Sequence, residues 1–168
     1  MDFAGYVKKA LELCKFNIPV YDQIATDPNA FTMGLIFLAI GGAAAALGSF
    51  APLGIVLYPI VMIVGFFIFM GILHLLATLF GGSGDFMALF RIGSIGSIVN
   101  WPAVIPIIGW IVGLWLLPIT VVAVERTYKL ERGKAVLVVL IPVGVLLLIG
   151  SLLVVAAGLA VLTFFRNA

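Results

Sequence analysis

The sequence predicts an all-α membrane protein, a polytopic transmembrane helical bundle of five spans that is N-in/C-out. Of its 168 residues, 64% are hydrophobic and 10% are charged, and the mean hydropathy is +1.33, whereas soluble domains are about half apolar and one quarter charged. Several uncharged runs are long enough to cross a bilayer. We therefore expect residues 1–28 to form a cytoplasmic amphipathic helix and linker, and residues 29–168 to form the transmembrane domain.

The N-terminal segment predicts an amphipathic helix. Between Phe3 and Phe16 the apolar residues recur at helical spacing, and the lysines lie on the other side. Such a helix fits an interfacial position in the lipid headgroup region, although the pattern also fits packing against a partner protein. Pro19 is expected to end it, and Asp27-Pro28 to precede the first span.

The first two spans are predicted at about 31–50 and 53–80, where uncharged runs are separated by Ala51-Pro52 and stopped by a glycine-rich turn at 81–84. The centre of the first run consists of small residues, which let helix backbones approach closely in lipid. Four residues of the first span are expected to pack helices in this way: Gly41, Gly42, Ala45 and Gly48. Gly109 and Gly113, from the predicted fourth span, are expected to do the same.

The next two spans are predicted from one uncharged run of 33 residues, 92–124, that follows a helix start at Asp85. A single straight helix of that length would measure about 50 Å, against about 30 Å for the hydrocarbon core. Two spans, at about 86–105 and 107–124 with a tight turn near Pro106, fit better. A fifth span is predicted at about 135–165, after a polar linker.

The distribution of basic residues favours five spans over four. Lys and Arg accumulate on the cytoplasmic side of membrane proteins. Five spans place eight basic residues on that side and only Arg166 on the other, whereas four spans divide them five to four. These eight, which are also candidates for contact with lipid or a partner, are Lys8, Lys9, Lys15, Arg91, Arg126, Lys129, Arg132 and Lys134.

Four strings, in this order, carry a family resemblance. They are Thr26-Asp27-Pro28, the segment from Gly81 to Phe86 followed by Leu89, Arg91, Ser94 and Ser97, the pair Trp101-Pro102, and the segment from Ala123 to Ala135. Over roughly residues 26–165 the chain resembles the Yip family, five-span membrane proteins named for their interaction with Ypt/Rab GTPases. The resemblance implies a five-span fold.

The N-terminal region of the chain narrows what the resemblance implies. Eukaryotic members of the family are associated with vesicle trafficking and carry a longer cytosolic N-terminal region than the one present here. The compact form looks like the bacterial and archaeal members, which implies a prokaryotic cytoplasmic membrane and does not carry GTPase binding over to this chain.

Few side chains suggest chemistry. Every carboxylate lies outside the apolar runs, so no pair is placed for acid-base catalysis, and we expect no enzyme, cofactor or metal. His74 is the only histidine, and alone it makes a poor ligand set. The basic residues are too scattered for nucleic acid.

Three hypotheses follow from these observations, the third of which is a haem- or quinone-associated subunit that uses His74. The leading hypothesis is a membrane organiser, adaptor or accessory subunit, whose partners are membrane lipids and other membrane proteins or copies of itself. The alternative is a small transporter, channel or lipid-handling protein, which predicts a cavity that reaches Asn100 or Arg91.

Overall fold

The computed structural model describes the backbone of residues 2–167, with their side chains except those of residues 106, 110, 160–162 and 164–167. The described residues form helices joined by short turns and include no strand, so the all-α prediction is confirmed for them. The α-helices are α1 (Phe3–Cys14), α2 (Ile18–Thr26), α3 (Asn29–Gly48), α4 (Gly54–Leu79), α5 (Phe86–Gly96), α6 (Pro106–Gly113), α7 (Leu116–Tyr128) and α8 (Arg132–Asn167), and a 3₁₀ helix (Ser97–Val104) follows α5.

Four stretches of the described residues are helical, long and apolar enough to cross a membrane. They are Asn29–Gly48, Gly54–Leu79, Ile107–Tyr128 and Arg132–Leu159. The segment predicted as the third span, 86–105, is not among them, because its α-helical part has only 11 residues before the backbone changes to a 3₁₀ helix.

The change from α5 to the 3₁₀ helix has a local cause. Pro102 has no amide hydrogen, and in an α-helix its ring would clash with the carbonyl group four residues earlier. The hydroxyl of Ser94 donates to the carbonyl oxygen of Arg91 at 3.1 Å, and that of Ser97 donates to Ser94 at 2.6 Å. Such bonds compete with the regular α-helical pattern.

α5 and the 3₁₀ helix run side by side with α3 and in the same direction. Gly34 of α3 faces Ser94, Gly41 faces Asn100, and Gly48 faces Ala103. The pair therefore extends along α3 from its first turns to its last residue.

The chain reverses direction after the 3₁₀ helix. Ile105 is extended, with φ −105° and ψ 105°, and its amide bonds to the carbonyl of Pro102 at 2.9 Å. α6 then returns along the 3₁₀ helix, with Gly109 against Ala103, and α7 continues along α5, with Ile119 against Gly96. The reversal lies at the position where the sequence predicts a tight turn.

α5 and the 3₁₀ helix form the centre of the molecule, since residues 92–99 are all buried. α3, α4 and α7 surround them. Large buried side chains such as Phe37, Met70 and Phe90 fill the space between these helices.

α1 and α2 cover the remaining side of this centre. Tyr6, Ala10 and Leu13 of α1 are buried against the helices of the same chain, while Phe3 and Leu11 are 41% and 50% exposed. The sequence leaves two positions open for this apolar side, against lipid headgroups or against protein. The structure buries part of it, including Tyr6 and Ala10, against the chain's own bundle. The position of α1 relative to the membrane surface stays a prediction.

α8 packs on the bundle only near its start. Ala135, Val138 and Val139 are fully buried against α7 and α4, whereas every residue from 144 to 159 is exposed. This second part of α8 has few contacts within the chain.

Candidate functional site

Hydrogen bonds tie α1 and α2 to the bundle at several points. The hydroxyl of Tyr6 donates to Oδ2 of Asp27 at 2.5 Å, and Nε1 of Trp115 donates to the carbonyl oxygen of Cys14 at 3.0 Å. The ring of Phe3 stacks on that of Trp101, with the two planes 10° apart. The two N-terminal helices are therefore held as part of the folded protein.

The Tyr6–Asp27 pair shifts the pKa of both groups. Burial, and next the hydrogen bond to Asp27, raise the pKa of Tyr6 to about 12. The hydrogen bond from Tyr6 lowers the pKa of Asp27, with a smaller effect from Lys9, whose Nζ lies 3.6 Å from Oδ2. Asp27 is therefore an ionised carboxylate that joins α1 to the start of α3.

The eight basic residues singled out in the sequence differ in their surroundings. Four have a carboxylate partner: Lys9 with Asp27, Lys15 with Glu12, Arg126 with Asp22, and Arg132 with Glu125. Within the part of the chain that the structure describes, the other four form no ion pair; they are Lys8, Arg91, Lys129 and Lys134. Arg91 alone of these four lies inside the bundle.

Arg91 lies on α5, where its side chain is partly buried. One guanidinium nitrogen, Nη1, donates to the carbonyl oxygen of Ala25 at 2.8 Å, at the end of α2. Its Nε is buried and has no acceptor among the described residues. Arg91 therefore helps to hold α2 on the bundle.

Three of the small residues predicted to pack helices, Gly42, Gly48 and Gly109, lie at close contacts between helices. A Cβ added to Gly42 would lie 2.6 Å from the backbone Cα of Pro59, and one added to Gly109 would lie 2.5 Å from the Cα of Ala103. One added to Gly48 would overlap the carbonyl oxygen of Ala103. At Gly41 and Gly113 the nearest atoms, both of Asn100, are 3.4 and 3.5 Å away, and Ala45 lines two cavities beside them.

His74 is engaged by a neighbouring side chain. Its Nδ1 lies 2.5 Å from the hydroxyl oxygen of Tyr128, and its ring packs nearly perpendicular to that of Phe86, with 5.9 Å between the ring centroids. The described residues contain no group of three or more potential metal ligands. The histidine thus joins the last turns of α4 to the start of α5 and the end of α7.

A feature that the sequence reasoning missed is the exposed part of α8. A Cβ added at Gly144, Gly150 or Gly158 would meet no atom within 4 Å. Gly144, Ser151 and Gly158 are seven residues apart, so they lie on one side of the helix. The seven-residue spacing of small residues was the signal that could have identified this surface.

Comparison with known proteins gives one match. The family model for the Yip1 domain matches residues 19–164, from α2 to near the end of α8. No curated protein and no solved structure matches the chain. The match covers nearly the whole chain and confirms the resemblance inferred from the sequence, and the chain belongs to the Yip1 family.

Proposed function

We propose that this protein is a non-catalytic membrane adaptor or accessory subunit that binds a transmembrane helix of another membrane protein through the exposed part of α8. The observation that carries the proposal is the exposure of every residue from 144 to 159 in a helix of the Yip1-family domain. The Yip1 family is not a known enzyme family, which agrees with a binding function.

The side chains of α8 favour a helical partner. In lipid the hydrophobic effect does not bring helices together, and small residues allow the close backbone contact that does. Gly144, Ser151 and Gly158 offer such contact over 15 residues, or about 21 Å of helix. Leu147 and Val154, on the helix surface nearby, are 70% and 73% exposed and can pack against the same partner.

The proposal includes five crossings of the membrane, N-in and C-out. α5 and the 3₁₀ helix together rise about 32 Å, close to the about 30 Å of α3 beside them. Since the two run in parallel over the whole of α3, a membrane crossed by α3 is crossed by this pair as well. Five crossings also keep the eight basic residues on one side.

The basic side is expected to face the cytoplasm and to contact anionic lipid or the partner. Lys129 and Lys134 flank the turn between α7 and α8, and Lys8 projects from α1; all three are exposed. Exposed lysines near span ends attract anionic headgroups. We propose that the membrane is the cytoplasmic membrane of a prokaryote.

The test is partner recovery from native membranes. Wild type and the Gly144→Leu and Gly158→Leu variants are purified in mild detergent, and co-purifying proteins are quantified by mass spectrometry. Gly71→Leu is the matched control, because an added Cβ at Gly71 of α4 also meets no atom within 4 Å.

We expect one membrane protein in stoichiometric amount with the wild type and with Gly71→Leu, and its loss with both α8 variants. Full recovery with the α8 variants would show that α8 is not the binding surface. A wild-type chain that purifies alone, or only with copies of itself, would contradict the adaptor function.

A further inference from the structure

A cavity of about 490 Å³ lies between α4 and α8. Its inner wall comes from α3, the 3₁₀ helix and α7. The residues on which the argument rests are Tyr58, Val61, Gly65, Phe66, Asn100 and Leu146.

The cavity opens toward the hydrocarbon core of the membrane. Val61 and Leu146, on either side of its mouth, are 67% and 59% exposed. The mouth lies between two of the helices long enough to span a bilayer. Access is therefore from the side, for a molecule already dissolved in lipid.

The size of the cavity fits one lipid chain. An engineered cavity of about 150 Å³ holds benzene, with six carbon atoms, so 490 Å³ has room for on the order of twenty heavy atoms. That is about the size of one acyl chain of a phospholipid.

Two polar side chains line this otherwise apolar cavity. The amide of Asn100 and the hydroxyl of Tyr58 form no hydrogen bond with any described residue. The Asn100 Oδ1 is directed toward Gly113, where an added Cβ would be 3.5 Å away. Polar groups inside a membrane are unfavourable without a partner, so a ligand that accepts hydrogen bonds at this position would be stabilised.

We propose that the cavity binds one phospholipid acyl chain from the leaflet at the end of the bundle opposite the basic residues. Its carbonyl group accepts hydrogen bonds from Nδ2 of Asn100 and from the hydroxyl of Tyr58, and the chain lies along Phe66 and Leu146. Of the exposed part of α8 only Leu146 lines the cavity, whereas the small residues proposed for partner binding, Gly144, Ser151 and Gly158, do not.

Gly65 provides a direct way to fill the cavity. An added Cβ there meets no atom within 4 Å, so Gly65→Leu places its side chain in the cavity without displacing the backbone. Gly71→Leu is again the matched control, since Gly71 lies on the same helix with equal free space and does not line the cavity.

The experiment uses purified full-length protein in vesicles of phosphatidylethanolamine and phosphatidylglycerol. A small fraction of the phospholipid carries a photoreactive diazirine in its acyl chain, and labelled residues are located by mass spectrometry after irradiation. In the wild type and in Gly71→Leu, we expect Met62 and Phe66 to be labelled more strongly than the residues on the outer surface of α8. In Gly65→Leu it should fall to the level of that surface.

A second variant tests the polar contact. Asn100→Leu removes the amide and keeps a side chain of similar size, and we expect about two- to tenfold weaker occupancy of the cavity, the effect of losing one net hydrogen bond.

Equal labelling of Met62 in the wild type and in Gly65→Leu would overturn the proposal, as would wild-type labelling no higher than on α8. Occupancy unchanged by Asn100→Leu would overturn the carbonyl contact. Because no partner protein is present, these outcomes are independent of the adaptor function.

Discussion

Gly42 should tolerate an added side chain poorly, because it lies where α3 packs directly on the backbone of α4. In the structure an added Cβ would lie 2.6 Å from both Cα and N of Pro59 and 2.8 Å from the carbonyl carbon of Tyr58. Ordinary contact begins at 3.4 Å, so α3 and α4 would have to separate locally by about 0.8 Å. All three atoms belong to the backbone, which cannot rotate away as a side chain can.

Gly42→Ala is therefore expected to destabilise the protein by about 1–3 kcal/mol, the usual range for overpacking. For a chain of this size each kcal/mol corresponds to about 2–4 °C, which gives a Tm lower by about 2–12 °C. Thermal unfolding in detergent, followed by tryptophan fluorescence, measures the change.

Gly71→Ala on α4 is the control for this measurement. An added Cβ at that position meets no atom within 4 Å, and alanine favours the helix over glycine. We expect its Tm to be unchanged or slightly higher. A Gly42→Ala protein as stable as Gly71→Ala would refute the argument that this contact sets the spacing of α3 and α4.

Three further predictions concern the ends of helices and the N-terminal cover. Asp85→Ala should lower the free energy of unfolding by about 0.5–2 kcal/mol, because Oδ2 of Asp85 caps α5 by accepting a hydrogen bond from the amide of Ala88 at 2.8 Å. Chemical unfolding measures this loss, and Ser83→Ala is the control. A loss no larger than that of the control would contradict the prediction. The folded-state pKa of Asp27 is lowered, so its stabilisation should be complete above its ordinary value of 3.8 and be lost as pH falls through the folded value. The pKa of Tyr6 is raised from 10.0 to about 12, so its contribution should be lost as pH rises through about 12. Measuring Tm from acid to alkaline pH tests both expectations. The Tm of Asp27→Asn should fall less at acid pH than that of the wild type. Identical profiles for the two proteins would contradict a stabilising Tyr6–Asp27 pair. Phe3→Ala should speed hydrogen exchange in α1 and leave exchange in α8 unchanged, because it removes the ring that stacks on Trp101. Leu11→Ala, at a 50% exposed position, is the control. Equal exchange rates in the two variants would show that the Phe3–Trp101 contact does not hold α1 in place.

The class of protein and most helix positions could be read from the sequence because both depend on local pattern. Uncharged runs of bilayer length predict spanning helices, and Pro102 with Pro106 marked a break and a reversal that the structure places at 97–106. The inward position of α5 could not be read so directly. Its burial at residues 92–99 depends on the five helices packed around it, α1, α2, α3, α4 and α7, and no local pattern reports how many neighbours a helix has.

The candidate site residues also divide into those that the sequence could identify and those whose contacts only the structure shows. The packing residues Gly42 and Gly48 were named from their small size alone, whereas the contacts that require them, with Pro59 and Ala103, join distant parts of the chain. His74 illustrates the reverse case. Its partner Tyr128 is 54 positions away, so the sequence could present it only as an isolated histidine.

By itself, the sequence determined that this is an all-helical protein of the Yip family with apolar helices of bilayer length, since composition and spacing along the chain carry that information. The tertiary structure alone decided that α1 packs on its own bundle, that α8 leaves it after Pro142, and that a cavity opens beside Asn100. The physical reason is that lipid and protein interiors favour the same apolar side chains. Which of the two a given helix face contacts is decided by the packing of the whole chain.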